Sequence, residues 1–122
     1  MKFTSFLLSF SLCFSLPLTI LAEGSVSDQI SEKCKYPKAP EIPNGGTASE
    51  EELVAAQGNM KAYMAEGDDF IACITEYEES LDESEGEEER KIIVLYNNKV
   101  VDDMQAVADL FNSAVRAYKN KK

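Results

Sequence analysis

Two sets of residues in this chain have the types and spacing for chemistry. One is a pair of cysteines, Cys34 and Cys73; the other is nine carboxylates between Glu76 and Glu89 with no basic residue among them. Crowded carboxylate oxygens suit a hard divalent cation. Asp82, Glu83, Glu85 and Glu87 are the residues best placed to hold one weakly. An EF-hand register fails, because Gly86 in the sixth place puts Leu81 first and Ile92 twelfth, where acidic ligands belong. A solvated acidic turn is therefore the expected role of this stretch. No resident metal and no cofactor are expected.

The absence of histidine removes every imidazole-dependent nucleophile, dyad and metal site. There is no Gly-rich phosphate loop and no nucleophile elbow. Paired carboxylates can hydrolyse glycosides, but a narrow helical pair lacks the cleft a sugar needs. No catalytic residue is nominated, and the chain is expected not to be an enzyme. A formal charge of −10 over 122 residues excludes non-specific nucleic-acid binding and disfavours anionic membrane surfaces, since both draw their affinity from Lys and Arg.

The fate of the cysteines depends on the compartment. Met1-Lys2 opens with a positive charge, residues 3–21 carry none, and Leu21-Ala22 precedes the return of charge at Glu23. This order is that of a secretory signal peptide spanning 1–22, with Ala22 the first choice of cleavage site and Gly24 the second. The apolar run is just long enough to span a bilayer, but its serines, Pro17 and the lack of a following basic cluster favour cleavage. Leu12 before Cys13 argues against lipidation. Cleavage takes Lys2 with it, moving the formal charge from −10 to −11. The mature chain belongs in the periplasm or outside the cell, with no membrane association after cleavage. It keeps Cys34 and Cys73, which in an oxidising space pair as a disulfide. Their spacing is far from the CxxC of a redox pair.

Residues 23–33 read as a flexible mature N-terminus, and 34–48 as an extended arm. Pro37, Pro40 and Pro43 recur every third residue, the period of polyproline II, so their rings share one face. Asn44-Gly45-Gly46 tolerates positive φ and marks a reversal. An SH3-type ligand is the functional alternative for such an arm; packing on the chain's own helices is preferred.

Ser49 followed by Glu50-Glu51-Glu52 is a capping box, and Thr47 with Glu50 offers a second, so the helix start is open by two residues. From there Leu53, Ala56, Met60, Tyr63, Gly67, Phe70, Ile74, Tyr77 and Leu81 alternate by three and four, the seam of a long helix in coiled-coil-like packing. Ile93, Asn97, Val100, Met104, Val107, Phe111, Ala114 and Tyr118 repeat the pattern. Their continuous period decides for helix over the strand that Ile92–Tyr96 alone would suit. Asp102-Asp103 fall on the outward face by this count. The expected fold is all-α: an antiparallel helical hairpin over 49–118, with helices at about 49–81 and 88–118. An acidic turn at 82–87 joins them, a basic tail covers 119–122, and the disulfide pins the proline arm alongside. Glu50 to Cys73 is about 35 Å along a helix, and Cys34 to Asn44 is about 31 Å of polyproline II, so an arm folding back at Gly45 brings the cysteines together.

The chain resembles a group of small exported bacterial proteins of uncharacterised function. The likeness rests on Cys34-Lys-Tyr-Pro-Lys-Ala-Pro-Glu-Ile-Pro43, on Ala48-Ser-Glu-Glu-Glu52, on Cys73, on Val101-Asp-Asp-Met104 and on Phe111-Asn-Ser-Ala-Val-Arg-Ala-Tyr118. It covers nearly all of the mature chain and implies export, a disulfide and a helical fold, but no activity. The expected role is a non-enzymatic interaction scaffold whose unknown protein partner is basic or offers an apolar helix. Self-association into a four-helix bundle is the homodimeric version. A cation-binding or envelope-buffering protein and a holdase-like envelope factor are the alternatives.

Overall fold

Three helices make up the regular structure of the computed structural model, which describes residues 25–84 and 86–121. They are α1 (Val26–Lys33), α2 (Glu50–Glu79) and α3 (Glu87–Asn120). The signal peptide expected over 1–22 lies outside the described residues.

α2 starts where the Ser49 capping box places it. Ser49 Oγ accepts from the Glu52 amide at 3.1 Å and the Glu52 carboxylate accepts from the Ser49 amide at 2.9 Å. The helix ends at Glu79, two residues short of Leu81. No basic residue lies in its last turn, so Glu76, Glu78 and Glu79 meet the negative helix end uncompensated. α3 begins at Glu87, with three glutamates in its first turn where the dipole favours them. It runs through Ile92–Tyr96 without a strand and on to Asn120, so part of the expected tail is helical. Its Lys119 stands in the last turn.

The two long helices pack antiparallel along the expected seam. α2 buries Leu53, Ala56, Tyr63, Gly67, Phe70, Ile74 and Tyr77; α3 buries Ile93, Val100, Val107, Phe111 and Ala114. Gly67 admits its partner closely: a Cβ there would lie 2.5 Å from Met104 Sδ. The larger core sits at the acidic-turn end around Phe70, Ile74 and Val100. A smaller one closes the other end around Ala48, Leu53 and Ala114.

The segment 23–33 departs from expectation, because 26–33 is helix rather than a flexible lead. Ser25 and Asp28 form a second capping box. Val26 and Ile30, four apart, face the core, and Ile30 is fully buried. Burying a side chain of this size contributes about 1.5–3 kcal/mol, enough to hold two helical turns that would be unstable alone. The glutamine of the same helix, Gln29, accepts a hydrogen bond from the Tyr77 hydroxyl at 2.8 Å.

The reversal at Asn44 also works differently. Its side chain accepts from the Gly46 amide at 2.9 Å and its carbonyl accepts from the Ala48 amide at 2.8 Å, but no glycine among the described residues has positive φ. Gly45 is required by proximity instead. A Cβ on it would lie 1.8 Å from the Ala114 carbonyl oxygen, so only glycine lets the turn rest on α3.

Candidate functional site

The disulfide forms as expected: Cys34 and Cys73 bond with a Cα–Cα distance of 5.7 Å at a sequence separation of 39. Cys34 comes directly after α1, where its amide still donates to the Ile30 carbonyl at 2.7 Å. Cys73 stands on α2 beside the buried Ile74. The bond therefore fastens the start of the arm to the acidic-turn end of the hairpin's groove. Beyond it, Pro37 is buried and Pro40 and Pro43 are half-buried, while Lys38, Ala39 and Glu41 are exposed. The three rings turn inward together, as their spacing requires.

Tyr36 makes the arm's main contact. Its ring meets Phe70 edge-on at 5.0 Å between centroids and lies 6.5 Å from Tyr96, a packing worth about 0.5–1.5 kcal/mol per pair beyond area burial. The Tyr36 hydroxyl donates to Asp103 Oδ2. Lys99 Nζ donates to the same oxygen at 2.6 Å and to the Tyr36 hydroxyl at 3.3 Å. It also lies 4.9 Å from the Tyr36 ring centre. Asp103, expected to face outward, is half-buried beneath the arm, whereas Asp102 is exposed. The i,i+4 spacing of Lys99 and Asp103 was visible in the sequence; the third member, 63 residues before Lys99, was not.

Proton affinities show what this cluster can do. Burial, then the hydrogen bond to Asp103, push Tyr36 up to about 12. The Asp103 hydrogen bond, followed by that of Tyr36, raises Lys99 to about 12. Lys99, then Tyr36, hold Asp103 below the ordinary carboxylate value. Each group is locked in its usual neutral-pH state, a phenol, an ammonium and a carboxylate. A general acid or base works best with a pKa near the working pH. The cluster is therefore a clamp joining the arm to α3, not a proton-transfer site.

The described residues of the acidic turn form no built cation site. Asp82, Glu83 and Glu87 are exposed, and Glu85 lies outside the described residues. Among the described residues no group of three or more acids and cysteines converges to hold a metal. Likewise, none of the helices described is long and apolar enough to cross a membrane.

The two sides of the hairpin differ. α1, the arm and the 44–47 turn occupy the groove that runs past Cys73, Tyr96 and Asp103 and end beside Leu110, which stays 59% exposed at its edge. Among the described residues, nothing covers the opposite groove in this way. Along it α3 presents Val94, Val101, Ala108 and Val115, each seven residues after the last, and α2 presents Met64 and Ile71. Val94 is 52% exposed and Val101 43%, and Val54 on the α2 rim is 62% exposed. Near the start of α2 this groove deepens into a hollow of about 310 Å³ between Glu50, Val54, Gln57, Phe111 and Val115. The chain matches no family model, no curated protein and no solved structure.

Proposed function

We propose that this protein is a non-enzymatic interaction scaffold of the periplasm or cell exterior. The observation that carries the reading is the asymmetry of the hairpin. One groove is occupied along most of its length by a disulfide-fastened arm, and the other exposes an apolar row of constant heptad spacing. A seam of this kind fits an apolar helix face laid along it. The leader-like layout of residues 1–22 and the resemblance to small exported proteins support export. The disulfide agrees with an oxidising compartment. Rigid fastening on one side keeps the open side preorganised, which lowers the ordering cost of docking.

The test compares Val101→Glu, on the open groove, with Leu110→Glu, beside the arm, as immobilised mature proteins challenged with envelope extract. The expected result is a bound partner lost with Val101→Glu and retained with Leu110→Glu. Equal capture by both variants overturns the reading.

A further inference from the structure

We infer that the open groove is occupied by a second copy of this chain, packed face to face so that α2 lies antiparallel on its counterpart and the two hairpins form a four-helix bundle. This rests on the scaffold reading above and names the partner of that same groove.

Charge supplies the first argument. The chain carries 22 acidic and 12 basic residues, yet the central stretch of the open face is almost free of both. Beside the apolar row of α3 the rim is made of Asn98, Gln105 and Asn112, all exposed and uncharged. On the α2 rim, among the described residues between Val54 and Thr75 at this spacing, the charges are Lys61 and Asp68, one of each sign. A central stretch with no net charge lets one copy of a strongly acidic protein approach another there, because like charges brought together cost several kcal/mol; Glu50 and Glu78 stand outside it, at the two ends of the groove. A basic partner would find little here to bind.

Symmetry supplies the second. A two-fold axis crossing the groove at right angles reverses α2 against itself, so a point between Lys61 and Asp68 maps each onto the other. Lys61 of each copy then faces Asp68 of the other, giving two equivalent ion pairs. The same axis brings the α3 row onto itself with Val94 opposite Val115 and Val101 opposite Ala108. The middle of that row lies beside Met104, which contacts Gly67. The middle of the Lys61–Asp68 pair lies between two and three residues along α2 from Gly67, roughly 4 Å. One axis therefore serves both helices within the reach of their side chains.

Area supplies the third. Val54 to Thr75 and Val94 to Val115 each cover about 31 Å of helix, and two helices side by side are about 20 Å wide. The face is thus about 600 Å² per copy, or about 1,200 Å² in all, at the lower edge of stable specific interfaces. Association in the micromolar range is the expected strength.

The experiment is sedimentation equilibrium of the oxidised mature protein from micromolar to submillimolar concentration. Far-UV circular dichroism confirms that each variant is folded. The wild type is expected to move from monomer to dimer mass. Lys61→Asp sets aspartate against Asp68 at both sites and weakens the dimer by about tenfold or more; adding Asp68→Lys restores it to within about threefold of wild type. Leu110→Glu, on the arm's side, leaves it unchanged. A dimer whose Lys61→Asp defect is not repaired by the double exchange overturns the antiparallel α2 pairing, and a dimer broken by Leu110→Glu overturns the choice of face. A monomer at every concentration overturns the dimer but spares the scaffold reading if capture from extract still depends on Val101. If capture does not depend on Val101 either, both fall.

Discussion

Removing the staple with Cys34→Ala/Cys73→Ala gives a loss whose size follows from the fold. The bond closes 39 residues of chain, and restricting a loop of that length in the unfolded ensemble stabilises the native state by about 4 kcal/mol. A domain of this size holds about 5–15 kcal/mol in total, so the variant should lose a quarter or more of its stability and melt about 15–30 °C lower. Loss of packing around Cys34, itself nearly buried, adds to this on the native side. The arm should loosen first, because Tyr36 and the prolines lie immediately after the bond. The assay is urea unfolding followed by far-UV circular dichroism. Near-UV tyrosine signal reports the packing of Tyr36, as the chain has five tyrosines and no tryptophan. Reduced wild type serves as a second route to the unlinked state. A loss below about 1 kcal/mol with an unchanged denaturant slope would refute the reasoning, since the arm would then be held by its other contacts alone.

Two glycines offer a contrast. Gly45→Ala forces a methyl against backbone at Ala114 and should cost about 1–3 kcal/mol, whereas Gly67→Ala meets the flexible Met104 side chain and recovers about 1 kcal/mol of helix propensity, so its urea midpoint should stay close to wild type. Tyr36 is raised from 10.0 to about 12, so its contribution is complete below pH 10 and is lost as pH rises through 12; Tyr36→Phe should flatten that alkaline decline in the urea midpoint, leaving a residue from Lys99 and Tyr63, which shift in the same direction. Parallel pH curves for the two proteins would count against the clamp. Calcium titration by calorimetry should give no saturable heat at millimolar concentration, because the acidic turn is open and solvated; a saturable isotherm would restore the cation-binding alternative.

Most of the hairpin was legible because helical periodicity is a local signal. Every buried residue of α2 belongs to the row read from spacing alone, and so does every buried residue of α3. The capping box at Ser49 placed the α2 start correctly for the same reason. α1 carried equivalent signals, a Ser25–Asp28 box and apolar residues four apart, but eight residues are too few to stand as a helix without a core to pack on. Its stability comes from Ile30 entering the space among Phe70, Ile74 and Val100, which a reading along the chain does not assemble. Asp103 was misplaced on the outward face because a heptad count knows only the partner helix, and the arm lies over a flank that the count leaves to solvent.

The amino-acid order determined what short-range physics controls: two long helices, their inward stripes, an extended proline segment and a cysteine pair able to meet. Tertiary structure alone decided which flank of the hairpin the arm covers, and so which flank stays open. That choice depends on contacts between residues far apart in the chain. Tyr36 must find Asp103 and Phe70, Gly45 must find Ala114, and Ile30 must find the core; none of these pairings has a local periodicity to announce it. Once the arm occupies one groove, the row from Val94 to Val115 becomes a surface rather than a core, which is a consequence of packing and not of composition.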